Sequence, residues 1–272
     1  MAGLHWRIDE VPWDQLDHSK IDPALVPLIK AAALVEYNAN DYTAYLCNVF
    51  HDDPDFKALA ADWAVEEVQH GRALGMWAER VDPSFNFDAA VQRFRDGYSV
   101  PIDLDQSVRG SRTGELIARC MVETGTSSYY TAIGDSTDEP VLKLICRHIA
   151  ADELRHYKLF YTYTKRYLER EKIGRLKRLQ VALSRITETE DDELAYAYYA
   201  ANAPADAVYD HKTYNAAYAR GAYSRYQRRH VDRAVAMVFK ACGLKPHTLL
   251  FRAASSLLWR VIDGRARRLQ AA

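Results

Sequence analysis

Two copies of the pattern Glu-x-x-His restrict the possible folds of this chain more than any other feature of the sequence. One copy comprises Glu67 and His70, and the other comprises Glu153 and His156. Both lie in long proline-free stretches whose apolar spacing is typical of helices. Side chains at positions i and i+3 of a helix project from the same side. Each pair can therefore ligate a metal ion from a single helix.

A glutamate in apolar surroundings precedes each pair at nearly the same distance. Glu36 lies within AAALVEYNA, 31 residues before Glu67, and Glu123 lies within IARCMVETG, 30 residues before Glu153. A lone carboxylate on an apolar helical face is costly to bury unless it is paired or bound to a metal. The chain is thus predicted to contain two helical hairpins that each supply Glu and Glu-x-x-His. This is the ligand set of ferritin-like di-iron and di-manganese carboxylate proteins.

Carboxylates and imidazoles suit a pair of divalent transition metals. Four carboxylates can neutralise two divalent ions, and the oxygen and nitrogen donors favour iron, with manganese as the alternative. The four cysteines form no Cys-x-x-Cys pair, which argues against an iron–sulfur site, a rubredoxin-type iron site or a zinc ribbon. We expect two iron ions held by six side chains: Glu36, Glu67, His70, Glu123, Glu153 and His156.

A further acidic residue directly precedes the glutamate of each pair. Asp152 is predicted to accept a hydrogen bond from the distal nitrogen of His70, which would fix the tautomer of that imidazole. Glu66 occupies the corresponding position in the other copy, where a solvated side chain is an equally good interpretation. Asp152 is therefore expected to support the metal site without binding the metal.

The remaining sequence also has helical spacing, interrupted by prolines and glycines. A long crossover separates the two predicted hairpins, which is the connectivity of a ferritin-like four-helix bundle. We predict an all-α fold in which residues 1–272 form a single domain, with a metal-binding core at 24–170 and a helical C-terminal extension at 171–272. A Tyr-rich segment of the extension is expected to pack against the bundle. The predicted helices span residues 23–49, 56–80, 113–133, 139–170, 172–188, 206–241 and 247–269.

Composition narrows the functional class. The chain is 49% hydrophobic and 27% charged, which excludes a disordered protein. It has neither an uncharged apolar stretch of membrane-spanning length nor an apolar N-terminal leader, so we expect a cytoplasmic protein. A net charge of −1 makes a nucleic-acid partner unlikely. Residues 1–150 carry a net charge of −11 and residues 151–272 a net charge of +10, a polarity that suits an acidic partner.

Two motifs carry a resemblance to a known family. WAVEEVQHG, from Trp63 to Gly71, and IAADELRH, from Ile149 to His156, resemble the iron-binding motifs of soluble acyl-acyl-carrier-protein desaturases. A threonine three residues after the third-helix glutamate is similar to that family as well, and here it is Thr126. The resemblance covers roughly residues 24–170.

The resemblance implies an oxygen-dependent di-iron oxidoreductase that desaturates an acyl chain carried on acyl carrier protein. It also implies a ferredoxin-type electron donor and a homodimer. Thr126 would be the catalytic residue that donates a proton to bound oxygen. The alternative for Thr126 is a hydrogen bond to its own helix backbone.

Other functions share the same ligand set. A di-iron hydroxylase of an acyl, aryl or tRNA substrate is one alternative. An arylamine N-oxygenase is another, although that group adds a third histidine where this chain has Ile149. A ferritin-like iron-binding protein or ferroxidase is a third. A helical scaffold without a metal would not need the buried glutamates at positions 36 and 123.

Overall fold

Helices joined by turns make up the part of the chain that the structure, a computed structural model, describes, which is residues 4–188 and 192–271. No strand occurs in these ranges, so the predicted all-α class is confirmed. Three short 3-10 turns at Ile8–Glu10, Trp13–Gln15 and His18–Lys20 come first. The α-helices that follow are α1 (Val26–Tyr37), α2 (Ala39–Val49), α3 (Pro54–Val81), α4 (Phe87–Gly97), α5 (Arg112–Ser136), α6 (Pro140–Glu171), α7 (Arg175–Glu188), α8 (Asp192–Asn202), α9 (His211–Tyr223), α10 (Arg228–Ala241) and α11 (Leu249–Ala271).

Four of these helices, α1, α3, α5 and α6, carry the predicted metal ligands and pack side by side. Helix α1 packs against α3, α5 against α6, and α3 against α6. The C-terminal helices cover this core, with α8 against α1 and both α7 and α10 against α5. Tyr196, Tyr198 and Tyr218 pack on the main hydrophobic core, as expected for the Tyr-rich segment.

Side-chain caps set the starts of the three longest ligand-bearing helices. The Asp53 carboxylate accepts a hydrogen bond from the Phe56 amide at the start of α3, and the Ser111 hydroxyl accepts one from Gly114 at the start of α5. Such caps satisfy amides that the first helical turn leaves unpaired. The buried Glu139 carboxylate caps α6 and also accepts a hydrogen bond from the Trp77 indole of α3, at 2.8 Å. The α5–α6 turn is thereby attached to α3.

The first predicted helix is wrong in one respect, because it is two helices. Helix α1 ends at Tyr37 and α2 begins at Ala39, with the buried Asn38 between them at φ −86° and ψ 9°. The Asn38 side chain accepts a hydrogen bond from Arg95 Nε of α4. Asparagine forms such non-helical interactions readily, which makes it a weak helix residue.

The structure differs from the predicted helices in three further places. The crossover contains a helix, α4, whose apolar positions 87, 90, 91 and 94 have helical spacing that the nearby prolines obscured. Helix α8 was not predicted. The predicted helix 206–241 is interrupted at residues 224–227, where no glycine or proline marks the break.

The helices were also compared with the length and hydropathy that a membrane-spanning helix needs. Among the described residues, no helix combines the length and the apolar character that crossing a bilayer requires.

The cysteines are not joined in disulfides. Cys120, Cys146 and Cys242 are buried as free thiols, and Cys47 is partly buried.

A single glycine sets the distance between α1 and α3 beside the predicted ligands. Gly71 follows His70, and a Cβ atom at this position would lie 2.5 Å from the backbone nitrogen of Tyr37 and 2.7 Å from the carbonyl oxygen of Ala33. Backbone atoms cannot yield to such an overlap without a shift of the helix. The close approach of α1 to α3 therefore requires glycine at position 71.

We predict that Gly71→Ala lowers the free energy of unfolding by about 1–3 kcal/mol, because the added methyl group must separate α1 from α3. Gly125→Ala on α5 is the matched control, since a Cβ there has no neighbour within 4 Å. The control should be neutral or more stable by up to about 1 kcal/mol, owing to the better helix propensity of alanine. Urea denaturation of the metal-free chains measures both values. Equal stabilities for the two variants would contradict this explanation of the packing.

Candidate metal centre

The six predicted ligands come together between the four core helices. Helix α1 supplies Glu36, α5 supplies Glu123, and α3 and α6 supply one Glu-x-x-His pair each. None of the six residues is more than 6% exposed. They form two overlapping groups of four side chains, and within each group one ligand atom per residue lies within 4.8 Å of the others. These groups can hold a metal ion.

The first group surrounds the Nδ1 atom of His70. This atom lies 3.8 Å from Glu36 Oε2, 3.6 Å from Glu67 Oε2 and 3.2 Å from Glu153 Oε1. Three carboxylates from three helices therefore face one imidazole nitrogen. An ion at their centre would have oxygen and nitrogen ligands of the kind that iron and manganese accept.

The second group surrounds the Nδ1 atom of His156. Here the distances are 3.0 Å to Glu67 Oε1, 3.6 Å to Glu123 Oε2 and 3.9 Å to Glu153 Oε2. Glu67 and Glu153 thus present one oxygen to each histidine. The remaining two carboxylates belong to one group each.

The outer nitrogen of each histidine is held by a carboxylate that belongs to neither group. His70 Nε2 lies 2.9 Å from Asp152 Oδ2, which is the contact expected from the sequence. His156 Nε2 lies 3.1 Å from Glu66 Oε2, so this acid is not simply solvated. Arg155 forms ion pairs with both of these carboxylates. A hydrogen bond at Nε2 leaves the Nδ1 lone pair directed at the centre of the cluster.

Several buried polar atoms at the centre of the cluster have no hydrogen-bond partner. They are the Nδ1 atoms of His70 and His156, both carboxylate oxygens of Glu123 and Oε1 of Glu153. Buried polar atoms in proteins are normally satisfied by hydrogen bonds. Once they are deprotonated, all of these atoms are electron-pair donors, and they converge on the same region, which is an arrangement that can hold a metal ion.

The electrostatics of the cluster favour a cation for the same reason. Burial and the nearby Glu67 carboxylate raise the pKa of Glu36 to about 8. Burial and neighbouring carboxylates also raise the pKa of Glu123 and of Glu153. Although burial alone would lower it, hydrogen bonds to surrounding carboxylates raise the pKa of His70 well above its usual value. Without a metal, protons must therefore compensate part of the carboxylate charge.

Two hydroxyl groups contact the predicted ligands directly. Thr126 Oγ1 donates a hydrogen bond to Glu153 Oε2 at 2.5 Å, and it also lies 3.2 Å from the carbonyl oxygen of Val122. Both interpretations of Thr126, contact with the site and a bond to its own helix, are therefore compatible with the structure. The Tyr130 hydroxyl donates a hydrogen bond to Glu36 Oε1 at 2.6 Å. The sequence analysis missed Tyr130, although it lies seven residues after Glu123 on the same face of α5.

The N-terminal segment contributes a residue that the sequence analysis also missed. Trp6 Nε1 donates a hydrogen bond to Asp152 Oδ2 at 2.8 Å, and the Trp6 ring stacks on His70 with a centroid separation of 6.2 Å. Trp6, Asp152 and His70 thus form a chain of contacts that ends at the metal site. No local pattern around Trp6 signals this role. Trp63, part of the desaturase-like motif, lies edge-on to the His156 ring at 6.5 Å.

Comparisons with protein-family models and with curated proteins find no match to this chain. The interpretation of the site therefore rests on its donor atoms, their burial and their distances. The resemblance of two motifs to desaturases remains a prediction from the sequence.

Metal affinity should rise with pH. The ligands must lose their protons to bind a metal, and the raised pKa values of Glu36 and His70 mean that both are largely protonated in the metal-free chain at pH 6. Raising the pH to 8 removes part of this competition. We expect the apparent Mn²⁺ affinity to increase by at least about tenfold from pH 6 to pH 8. Isothermal titration calorimetry measures the change, and a pH-independent affinity would rule out proton competition at these ligands.

We predict that Asp152→Asn weakens Mn²⁺ binding about 10–100-fold, because the amide no longer holds His70 in the metal-binding tautomer. Asp88→Asn is the matched control, since the Asp88 side chain is 77% exposed and lies outside the site. The control should bind Mn²⁺ as the unmodified chain does. If both variants retain full affinity, the Asp152–His70 contact has no part in metal binding.

Proposed function

We propose that this chain is an oxygen-dependent di-iron oxidoreductase with a ferritin-like core, and that its reaction is the desaturation of an acyl chain. The observation that carries the proposal is the donor set. Four glutamates and two histidines are buried together, and two of the glutamates are shared between the overlapping groups. Carboxylate-bridged metal pairs in ferritin-like proteins use this set.

Two ions fit the charges of the cluster better than one. Two divalent cations would match four carboxylates, whereas a single ion would leave two buried negative charges uncompensated. Glu36 and Glu123 are each in contact distance of only one of the two histidines, which suits terminal ligands of different ions. Iron is the metal we assign, and manganese has the same donor preferences.

A reduced iron pair bound here would supply the activation of dioxygen that oxidation of an unactivated methylene requires. The side chains around the iron pair would hold its ligands in position and exclude water. Asp152 and Glu66 orient the two imidazoles, and the nearly complete burial of the ligands keeps water away from the metals. Thr126 Oγ1 carries a proton next to Glu153, at the edge of the cluster. It is the residue placed to deliver that proton to the reacting site.

The acyl substrate and the partners of the reaction rest on the resemblance to desaturases. A ferredoxin-type donor would supply two electrons per turnover, and the active form would be a homodimer. The basic C-terminal helices have fewer unpaired arginines for contact with acyl carrier protein than the sequence suggests, because several arginines form ion pairs within the chain. These pairs are Arg225–Asp22, Arg228–Asp232, Arg229–Asp135 and Arg267–Asp263, at 2.6–2.8 Å.

Metal analysis followed by product analysis tests the proposal. After expression with iron and manganese available, we expect about two irons per chain, as in other ferritin-like di-metal proteins. Glu123→Ala should lose bound iron, whereas Glu169→Ala, an exposed acid on α6, should keep it. Iron retained by Glu123→Ala, or a chain that binds no metal, would exclude this site.

The reaction is then read from the mass of the product. The reduced, iron-loaded chain is mixed with oxygen and an acyl substrate, free or carrier-bound. Loss of two hydrogens supports desaturation. Gain of one oxygen shows a hydroxylase, and oxidation of added Fe²⁺ with mineral formation and an unchanged acyl chain shows a ferroxidase. Either result would replace the desaturase assignment while leaving the metal site intact.

A further inference from the structure

A buried arginine beside the candidate metal centre forms no ion pair with any carboxylate in the part of the chain that the structure describes. Arg119 lies on α5, one helical turn before Glu123, and is only 7% exposed. Within residues 4–188 and 192–271 its Nε atom has no hydrogen-bond partner, and its guanidinium forms no ion pair. The guanidinium instead lies over the ring of Tyr42, 5.1 Å from the ring centroid. Neither Arg119 nor Tyr42 is used by the proposed metal site.

Three other cations that are mostly buried within the described ranges each form an ion pair or a hydrogen bond with a carboxylate. Lys30 contacts Asp82 at 2.6 Å, Arg109 hydrogen-bonds to Glu188 at 2.6 Å, and Arg225 contacts Asp22 at 2.6 Å. An arginine keeps its charge in proteins, so it cannot escape burial by losing a proton. Contact with an aromatic ring compensates only part of the lost hydration. Arg119 therefore differs from these three cations, because it forms no ion pair with a carboxylate of the described residues.

The surroundings of Arg119 offer little free negative charge. Glu193 of α8 is the carboxylate that attracts Arg119, but it accepts a hydrogen bond from the Tyr42 hydroxyl and also attracts Arg185. Arg185 is close enough to Arg119 for the two charges to repel each other. The Tyr42 hydroxyl additionally contacts that of Tyr98 at 3.2 Å. Glu193 is thus shared among several groups, whereas Arg119 and Arg185 both bring positive charge to this region.

We propose that Arg119 binds the carboxylate of a free organic acid whose hydrocarbon chain extends along α5 towards the metal centre. The planar guanidinium can hold a carboxylate through two parallel hydrogen bonds. Four residues of helix separate Arg119 from Glu123, or about 6 Å along the axis. Arginine side chains on a helix extend towards its N-terminus, which here is away from Glu123. The oxidised carbon would accordingly lie several bonds from the carboxylate.

The inference rests on the proposed function for the destination of the hydrocarbon chain, and it narrows the substrate class. A carrier-bound acyl chain is a thioester and has no carboxylate for Arg119 to bind. A free aliphatic acid does. The site therefore favours a free fatty acid over the carrier-bound substrate that the resemblance implies.

The test compares three probes on the full chain as purified, by isothermal titration calorimetry. Decanoate carries both the carboxylate and the chain, decan-1-ol carries the chain alone, and inorganic phosphate is an anion without a chain. We expect decanoate to bind at least about tenfold more tightly than decan-1-ol, and Arg119→Gln to remove this difference. Arg252→Gln, at an exposed arginine of α11, should leave it unchanged. Equal decanoate affinity in the original chain and Arg119→Gln would overturn the proposal, as would phosphate binding as tight as that of decanoate.

Thermal unfolding separates ligand binding from a structural role of the arginine. If Arg119 binds a ligand and has no structural role without it, Arg119→Gln in the absence of decanoate should unfold at the same temperature as the original chain or higher. The reason is that the substitution removes a buried charge that has no ion-pair partner. Decanoate should raise the unfolding temperature of the original chain and not that of the variant. A clear fall in the unfolding temperature of Arg119→Gln would show that Arg119 already has a partner, and the proposal would fail.

Failure of this inference and failure of the proposed function give different results. The same titrations are repeated after a chelator has removed the metal. Arg119-dependent decanoate binding to a chain that never holds iron supports the acid site while the proposed oxidation fails. An iron-loaded chain that oxidises a carrier-bound acyl group but shows no Arg119-dependent decanoate binding keeps the proposed function and overturns the acid site.

Discussion

Mutual repulsion among four buried carboxylates is the constraint on which the rest of this structure depends. Glu36, Glu67, Glu123 and Glu153 come from four helices and share one space from which water is almost excluded. Such a cluster is unfavourable unless positive charge compensates it, either protons or metal ions. Burial first and the neighbouring Glu67 charge second raise the pKa of Glu36 to about 8. A bound cation would compensate the negative charge, and its bonds to side chains of different helices would then stabilise the folded chain.

The packing around the cluster serves to hold the ligands at fixed positions. Gly71 lets α1 approach α3 closely enough for Glu36 to reach His70, while the caps on α3, α5 and α6 fix where those helices begin. Hydrogen bonds from His70 to Asp152 and from His156 to Glu66 then set the orientation of both imidazoles. The two halves of the site are therefore supported in the same way, although different residue types provide the support.

Charge also distinguishes the metal centre from its surroundings. The cluster gathers negative charge at the centre of the four helices, and Arg119 keeps a positive charge one turn away on α5. A substrate that carries a negative group at one end and an apolar chain at the other would match both regions. The carboxylate would remain at the arginine, and the chain would extend towards the buried cluster.

Local periodicity was enough to predict the two Glu-x-x-His pairs that meet in the buried cluster, because an i, i+3 pair shares a helix face wherever that helix is placed. The apolar flanks of Glu36 and Glu123 added the two remaining carboxylates, since burial of an isolated charge needs a reason that a short sequence window can reveal. The two hairpins followed from the matched spacing of these residues. The sequence by itself thus determined the helical class and the chemistry of the donor set.

Only the tertiary structure decided which residues surround that set. Trp6 and Asp152 are 146 positions apart and Tyr130 and Glu36 are 94 apart, and no local pattern encodes contacts at such separations. The break at Asn38 and the helix within the crossover likewise depend on side chains that meet after folding, such as Arg95 with Asn38. The absence of an ion pair at Arg119 among the described residues belongs to the same category. Whether a charge is paired depends on which helices pack around it, and that is fixed by the fold as a whole.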